Sequence, residues 1–150
     1  MREIEFRIRY RDKSWYYGVP LTKIKNDTVG FQSFDGNYYD LFADATTLGQ
    51  YTGLKDKNGT KIFEGDIIKL TRTNMYAPTT SFHNQDLVSL HRVYWNDDKH
   101  CFYHEHFDLE RKRVTGGGSL NFNDERAKQN IIEVIGNIYN NPELWEVSNG

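Results

Sequence analysis

The chain has 150 residues, 37% of them hydrophobic and 15% aromatic, with 19 basic and 21 acidic side chains for a formal net charge of −2. That length suits one domain of ordinary size or a pair of small β units sharing a core, and the near-balance of charge argues against coating nucleic acid by bulk basicity while leaving room for a local basic patch. A single cysteine, Cys101, excludes an internal disulfide, and no apolar run reaches the roughly 20 residues of a membrane helix, so a cytoplasmic protein of a reducing compartment is expected.

Ten Tyr, nine Phe and three Trp against three Pro suit pleated, half-buried surfaces and point to a mainly β chain. In "REIEFRIRYR", Ile4, Phe6, Ile8 and Tyr10 alternate with Glu5, Arg7, Arg9 and Arg11. Period-two alternation predicts a strand with one apolar and one charged face. "DKS" predicts a turn and "WYYGV" a returning strand. Asp35-Gly36 in "FDGNYYDLF" predicts a tight hairpin turn, because glycine tolerates the positive φ such turns require. Residues 43–57 show no periodicity and read as a connection. Asn58-Gly59 is the strongest turn dipeptide of the chain. The following "TKIFEGDIIKL" reads as a strand interrupted at Glu64-Gly65-Asp66, where glycine marks a bulge or sharp bend and Asp66 can accept bonds from exposed backbone N–H groups.

Residues 73–87 read as a long loop. Two strands are expected around the turn "NDDK", then a flexible connection through "TGGGSLNFNDE" and a helical turn or two in "DERAKQN". "IIEVIGNIY" predicts a further strand with Gly136 inside it. "NNPELWEV" predicts a short helix, with Asn141 as its cap and Pro142 at its first position. Leu144 and Trp145 are expected to dock this tail onto the fold, since a terminal segment stays ordered when tied down, a reading favoured over Trp145 as an exposed interface anchor.

Four stretches taken together carry a resemblance: the opening "REIEFRIRYRDK", the central "QYTGLKDKNGTKIFEGDIIKL", the middle "VYWNDDKHCF" and the late "EVIGNIYNNPELWE". In this order they resemble the YopX family of phage and prophage proteins. The resemblance implies a β-rich N-terminal region over 1–57 and a small SH3-like β-barrel over 58–150, closed by a short C-terminal helix, the two packing as one unit or as neighbours. The barrel would take in residues 62–71, 88–95, 101–109 and 131–139. It also implies the cytoplasm of a bacterial host. The family has no established activity, so no catalytic residue is implied. The motif positions Tyr51, Gly53, Asp56, Asn58, Gly59, Gly65, Asp66, Gly136, Asn137, Asn141 and Pro142 are turn and cap types, which suit a scaffold.

Several residues still invite a chemical reading. If "HCFYHEHF" is a strand, His100, His104 and His106 share one face, close enough for two of them to grip a metal, with His83 or His91 completing the set. A solvent-facing histidine stripe explains the same pattern and is preferred. Cys101 lacks an orienting group or a nucleophile signature and reads as a buried strand cysteine. The acids of "NDDK" and "HFDLE" read as turn and surface positions. Arg7, Arg9 and Arg11, continuing into Lys13, Trp15, Tyr16 and Tyr17, could track phosphates and stack bases, with "ERKRV" from Glu110 as a second basic cluster. A solvated strand face explains the same pattern and is preferred, given the near-neutral net charge. "TGGGS" lacks the trailing Lys-Ser/Thr of a phosphate loop.

The favoured reading is a non-enzymatic interaction module that needs no cofactor and binds a host or phage protein. Two alternatives stand beside it: a nucleic-acid-binding accessory protein using Arg7, Arg9, Arg11, Lys13 and Trp15, and a small metal-binding protein using His100, His104 and His106. Self-association is a further option, and no membrane partner is expected.

Overall fold

A computed structural model describes residues 3–10, 12–24, 28–36, 38–41, 45–72, 87–108, 111, 113–120 and 130–145. The chain is mainly β and divides into two compact units, Met1–Leu54 with Lys61–Glu64, and Lys55–Thr60 with Gly65–Gly150. The hairpin that joins them is the central motif. The expected boundary at 57/58 falls inside its turn. No helix among the described residues is long and apolar enough to cross a membrane.

The first unit contains β1 (Phe6–Arg9), β2 (Trp15–Ile24), β3 (Thr28–Ser33), β4 (Tyr38–Leu41), a 3-10 turn at Ala45–Thr47, β5 (Gly49–Lys55) and β6 (Lys61–Phe63). Their order in the sheet is β4-β3-β2-β1-β5-β6. The two predicted hairpins are present: β1 pairs antiparallel with β2, placing Arg7 opposite Tyr17, and β3 pairs antiparallel with β4 around Phe34–Gly36. Gly36 has the expected positive φ of 86°. Ile8, Val29 and Phe31 form the buried core, with Phe6, Tyr10, Tyr16, Ala45 and Leu48 against it.

Two expectations fail here. The segment 43–57 is not a plain connection, because Gly49–Lys55 pairs with β1 as β5. Its alternation is hidden by Gly49 and Gly53, and Gly49 sits where an added Cβ would come within 2.8 Å of the Glu64 carbonyl oxygen. The charged face of β1 is not solvated either. β1 lies inside the sheet between β2 and β5. Glu5 and Arg7 are both buried, whereas Ile4, beyond the strand, is 62% exposed.

The second unit contains β7 (Asp66–Arg72), β8 (Leu87–Asn96), β9 (Cys101–Asp108), β10 (Arg113–Ser119), β11 (Asn130–Asn137) and a 3-10 turn at Pro142–Trp145. Every pair in the order β10-β9-β8-β7-β11 is antiparallel. β10 and β11 are the edges, and among the described residues they do not pair, so the sheet is open where an SH3-like barrel was expected. The expected C-terminal helix is a single 3-10 turn. It does begin at Pro142, and the Leu144 N–H donates to the Asn141 carbonyl at 3.0 Å.

The glycine run expected to be a flexible connection is the edge strand β10. Pairing with β9 satisfies its backbone on one side, which offsets the entropy glycine loses on ordering. Gly117 needs to be glycine for another reason: a Cβ there would lie 2.3 Å from the His104 carbonyl oxygen. The core of this unit includes Ile67, Ile68, Leu70, Leu90, Val93, Phe102, Phe107 and Ile132. Trp145 docks as expected, its ring 4.9 Å from that of Phe107, with the Arg92 guanidinium 5.6 Å away. The expected loop at 73–87 and helical turn at 124–130 lie almost wholly outside the described residues.

Candidate functional site

The central motif is built from backbone geometry. Asp56 opens the turn between β5 and β6. Its Oδ1 accepts from the N–H groups of Asn58 and Thr60, both at 2.8 Å, and its Oδ2 accepts from the Val134 N–H of β11 at 3.0 Å. Burial pushes the Asp56 carboxyl up, but the bonds from Val134, Thr60 and Asn58 outweigh it and hold the group below the usual carboxylate range. Next to it the Lys57 N–H donates to the Ile132 carbonyl at 2.9 Å, and the Lys57 ammonium pairs with Glu133. Gly59 and Gly65 take φ of 82° and 81°, a region that disfavours side chains. The Gly65 N–H donates to the Val93 carbonyl at 2.8 Å, and its carbonyl accepts from the Ile138 N–H at 2.9 Å. The carboxylate and glycines of this motif are thereby committed to holding turns.

The arginine stripe has a different character from the one its sequence suggests. The Arg7 guanidinium donates to the Glu64 carbonyl at 3.0 Å. It lies 4.5 Å from the ring centre of Trp15 and 4.9 Å from that of Phe63. Phe63 in turn packs edge-on against Tyr17 at 5.7 Å and at a tilt against Tyr51 at 5.5 Å. Lys61 stands 5.1 Å from the Tyr51 ring and pairs with Glu3 and Glu5. These partners, Glu3 foremost, raise its pKa. The result is a ladder of aromatic rings threaded by cations. Tyr17, 43% exposed, forms its open rung. Lys13 lies in the turn after β1 with φ 70°, the backbone N–H of Arg9 donates to Thr47, and Arg11 lies outside the described residues.

The histidines divide. His100 is exposed in the β8–β9 turn with φ 50° and does not extend the strand face, so the predicted trio of His100, His104 and His106 does not assemble. His91 takes its place. The register pairs His91 with His106 and Val93 with His104, which brings three imidazoles to one face. His91 and His104 share a hydrogen bond between their Nδ1 atoms at 2.9 Å. Ring centres are 4.7 Å apart for His91 and His104, and 5.1 Å for His91 and His106. Ser89 Oγ bonds His91 Nε2 at 2.8 Å, and Thr115 Oγ1 bonds His106 Nδ1 at 2.7 Å. An open cavity of about 430 Å³ lies over the group, bounded by Val88, Ser89, the three histidines, Gly116 and Gly117. As they stand, no three His, Cys, Asp or Glu side chains among the described residues are arranged to hold a metal ion.

The signal for His91 was present in the sequence. A hairpin closing at Asn96 and Cys101 places 91 opposite 106 by counting. Cys101 is half-buried at the start of β9, its Sγ 3.8 Å from Ser119 Oγ. Nothing in the sequence announces Ser89 or Thr115, whose roles depend on the β8–β9–β10 register.

Compared with known proteins, residues 5–146 match the family model described as YopX protein. Among solved structures the chain is similar to protein EF1440 from Enterococcus faecalis, at 27% identity and a TM-score of 0.54, over 97% of this chain and 100% of that one. No curated protein matches it.

Proposed function

The chain belongs to the YopX family, and from that premise we propose that it is a non-enzymatic interaction module of phage or prophage origin that binds a protein in the cytoplasm of the host. The observation that carries this reading is the aromatic ladder of the first unit. Trp, Tyr and Arg are the residue types that dominate binding hot spots. Here Arg7 holds Trp15 and Phe63 by cation–π contact, and Phe63 supports the exposed Tyr17. Aromatic groups ordered before binding lose little conformational entropy when a partner arrives, so more of the contact energy appears as affinity. A buried guanidinium already bonded to the Glu64 carbonyl suits this supporting role better than phosphate contact.

A tagged pull-down from host lysate, run with and without nuclease, tests the reading. A defined protein should survive nuclease treatment, and Tyr17→Ala should reduce its retention about tenfold or more, the loss of a hot spot of about 2 kcal/mol. Retention that collapses with nuclease and falls steeply with salt would instead favour nucleic acid as the partner.

A further inference from the structure

We infer that the second unit carries a binding site for a borderline divalent transition-metal ion, with His91, His104 and His106 as its ligands. The face proposed above for protein binding belongs to the first unit, whereas these three histidines belong to the second. A tetrahedral ion with metal–nitrogen bonds of about 2.0–2.1 Å sets its ligand nitrogens about 3.4 Å apart and the imidazole centres about 5 Å apart. The ring centres of His91 lie 4.7 and 5.1 Å from those of His104 and His106, so two of the three pairs are near that spacing and the side chains must still turn to close the set. The nitrogens of His91 and His104 are closer, at 2.9 Å, because a proton lies between them. Seating a metal between them asks that proton to leave the shared Nδ1 position and the pair to open by about 0.5 Å.

The hydroxyl partners fit the same assignment. With the Nε2 proton of His91 donated to Ser89, its Nδ1 presents a lone pair. With the Nδ1 proton of His106 donated to Thr115, its Nε2 does so. Metal-bound histidines commonly have the other ring nitrogen held in this way, which fixes tautomer and ring orientation. His104 then moves its proton from Nδ1 to Nε2, and its Nδ1 joins the ion. All three ligands are neutral imidazoles, a set suited to zinc, nickel, copper or cobalt rather than to calcium or magnesium.

The glycine-rich edge strand completes the case. A Cβ at Gly116 would meet no atom within 4 Å, so the strand beside β9 leaves the cavity open along its Gly116 side. Three protein ligands leave a fourth tetrahedral position for water or an incoming donor.

The test is a titration of the chelator-treated full chain with Co²⁺, read by its visible absorption. Saturable binding of one ion per chain is expected, with the intense bands of four-coordinate cobalt. His91→Ala and His106→Ala should each weaken binding about tenfold or more, while His100→Ala in the exposed turn should leave it unchanged. Thr115→Val, an exposed change that leaves the core untouched, should weaken binding about tenfold by releasing the His106 ring. The inference is overturned if the wild-type chain shows no saturable one-to-one binding. It is equally overturned if His100→Ala loses as much affinity as His91→Ala, or if Thr115→Val has no effect. Circular dichroism of each variant separates loss of ligand from loss of fold.

Discussion

The two carboxylate oxygens of Asp56 serve two segments: Asn58 and Thr60 in its own turn, and Val134 on β11. Asp56→Asn keeps one acceptor and turns the other into a donor facing an N–H. Thermal or urea unfolding should show a loss of about 1–3 kcal/mol, the cost of leaving a buried polar group without its bond. The same residue sets a pH dependence. Its folded pKa lies below its unfolded one, so its contribution is present above about pH 4 and is lost as pH falls through the depressed folded value. The Asn variant should therefore lose less stability between pH 4 and 2 than the wild type. Gly65→Ala combines two penalties: φ 81° and a Cβ 2.9 Å from the Tyr139 ring. A loss of about 1–3 kcal/mol on unfolding is expected.

Among the elements, β10 shows how pairing overrides composition. A run of three glycines has low strand propensity, yet the register from Arg113 opposite Asp108 to Ser119 opposite Tyr103 holds it straight, with one irregularity between Val114 and Gly116. Gly117→Ala should detach it, because the new Cβ would overlap the His104 carbonyl. Hydrogen exchange should then rise across β10 and along the β9 edge it covers, with β7 and β8 protected as before. Survival of β10 protection would show that the backbone can shift enough to admit a methyl group. β1 teaches the converse. Its alternation is legible and its strand forms, but the alternation gives no sign that the Trp15 and Phe63 side chains lie against Arg7 on the second face.

For the whole molecule, the consequence is that the chain does not divide where its turn signal lies. Residues 55–60 pair with β11 through Asp56 and Lys57, while 61–64 return to the first unit. A fragment of residues 58–150 lacks Asp56 and Lys57, whose bonds to β11 add to its pairing with β7. It should melt at lower temperature, or with less cooperativity, than a fragment of residues 55–150, as followed by circular dichroism. Equal melting of the two would mean that these bonds add nothing to the second unit.

The sequence by itself determined the mainly β character, the turns at Gly36, Asn58-Gly59 and Gly65, the docking of Trp145 and the family. These depend on local requirements: a positive φ that glycine meets, a period of two, a proline that starts a turn. Tertiary structure decided the rest, because it depends on which strand lies beside which. Strand order left the second sheet open among the described residues, buried Arg7 among aromatic rings and made a strand of a glycine run. It also replaced His100 with His91, since a turn places His100 outside the strand while cross-strand register brings together residues 15 positions apart in the chain.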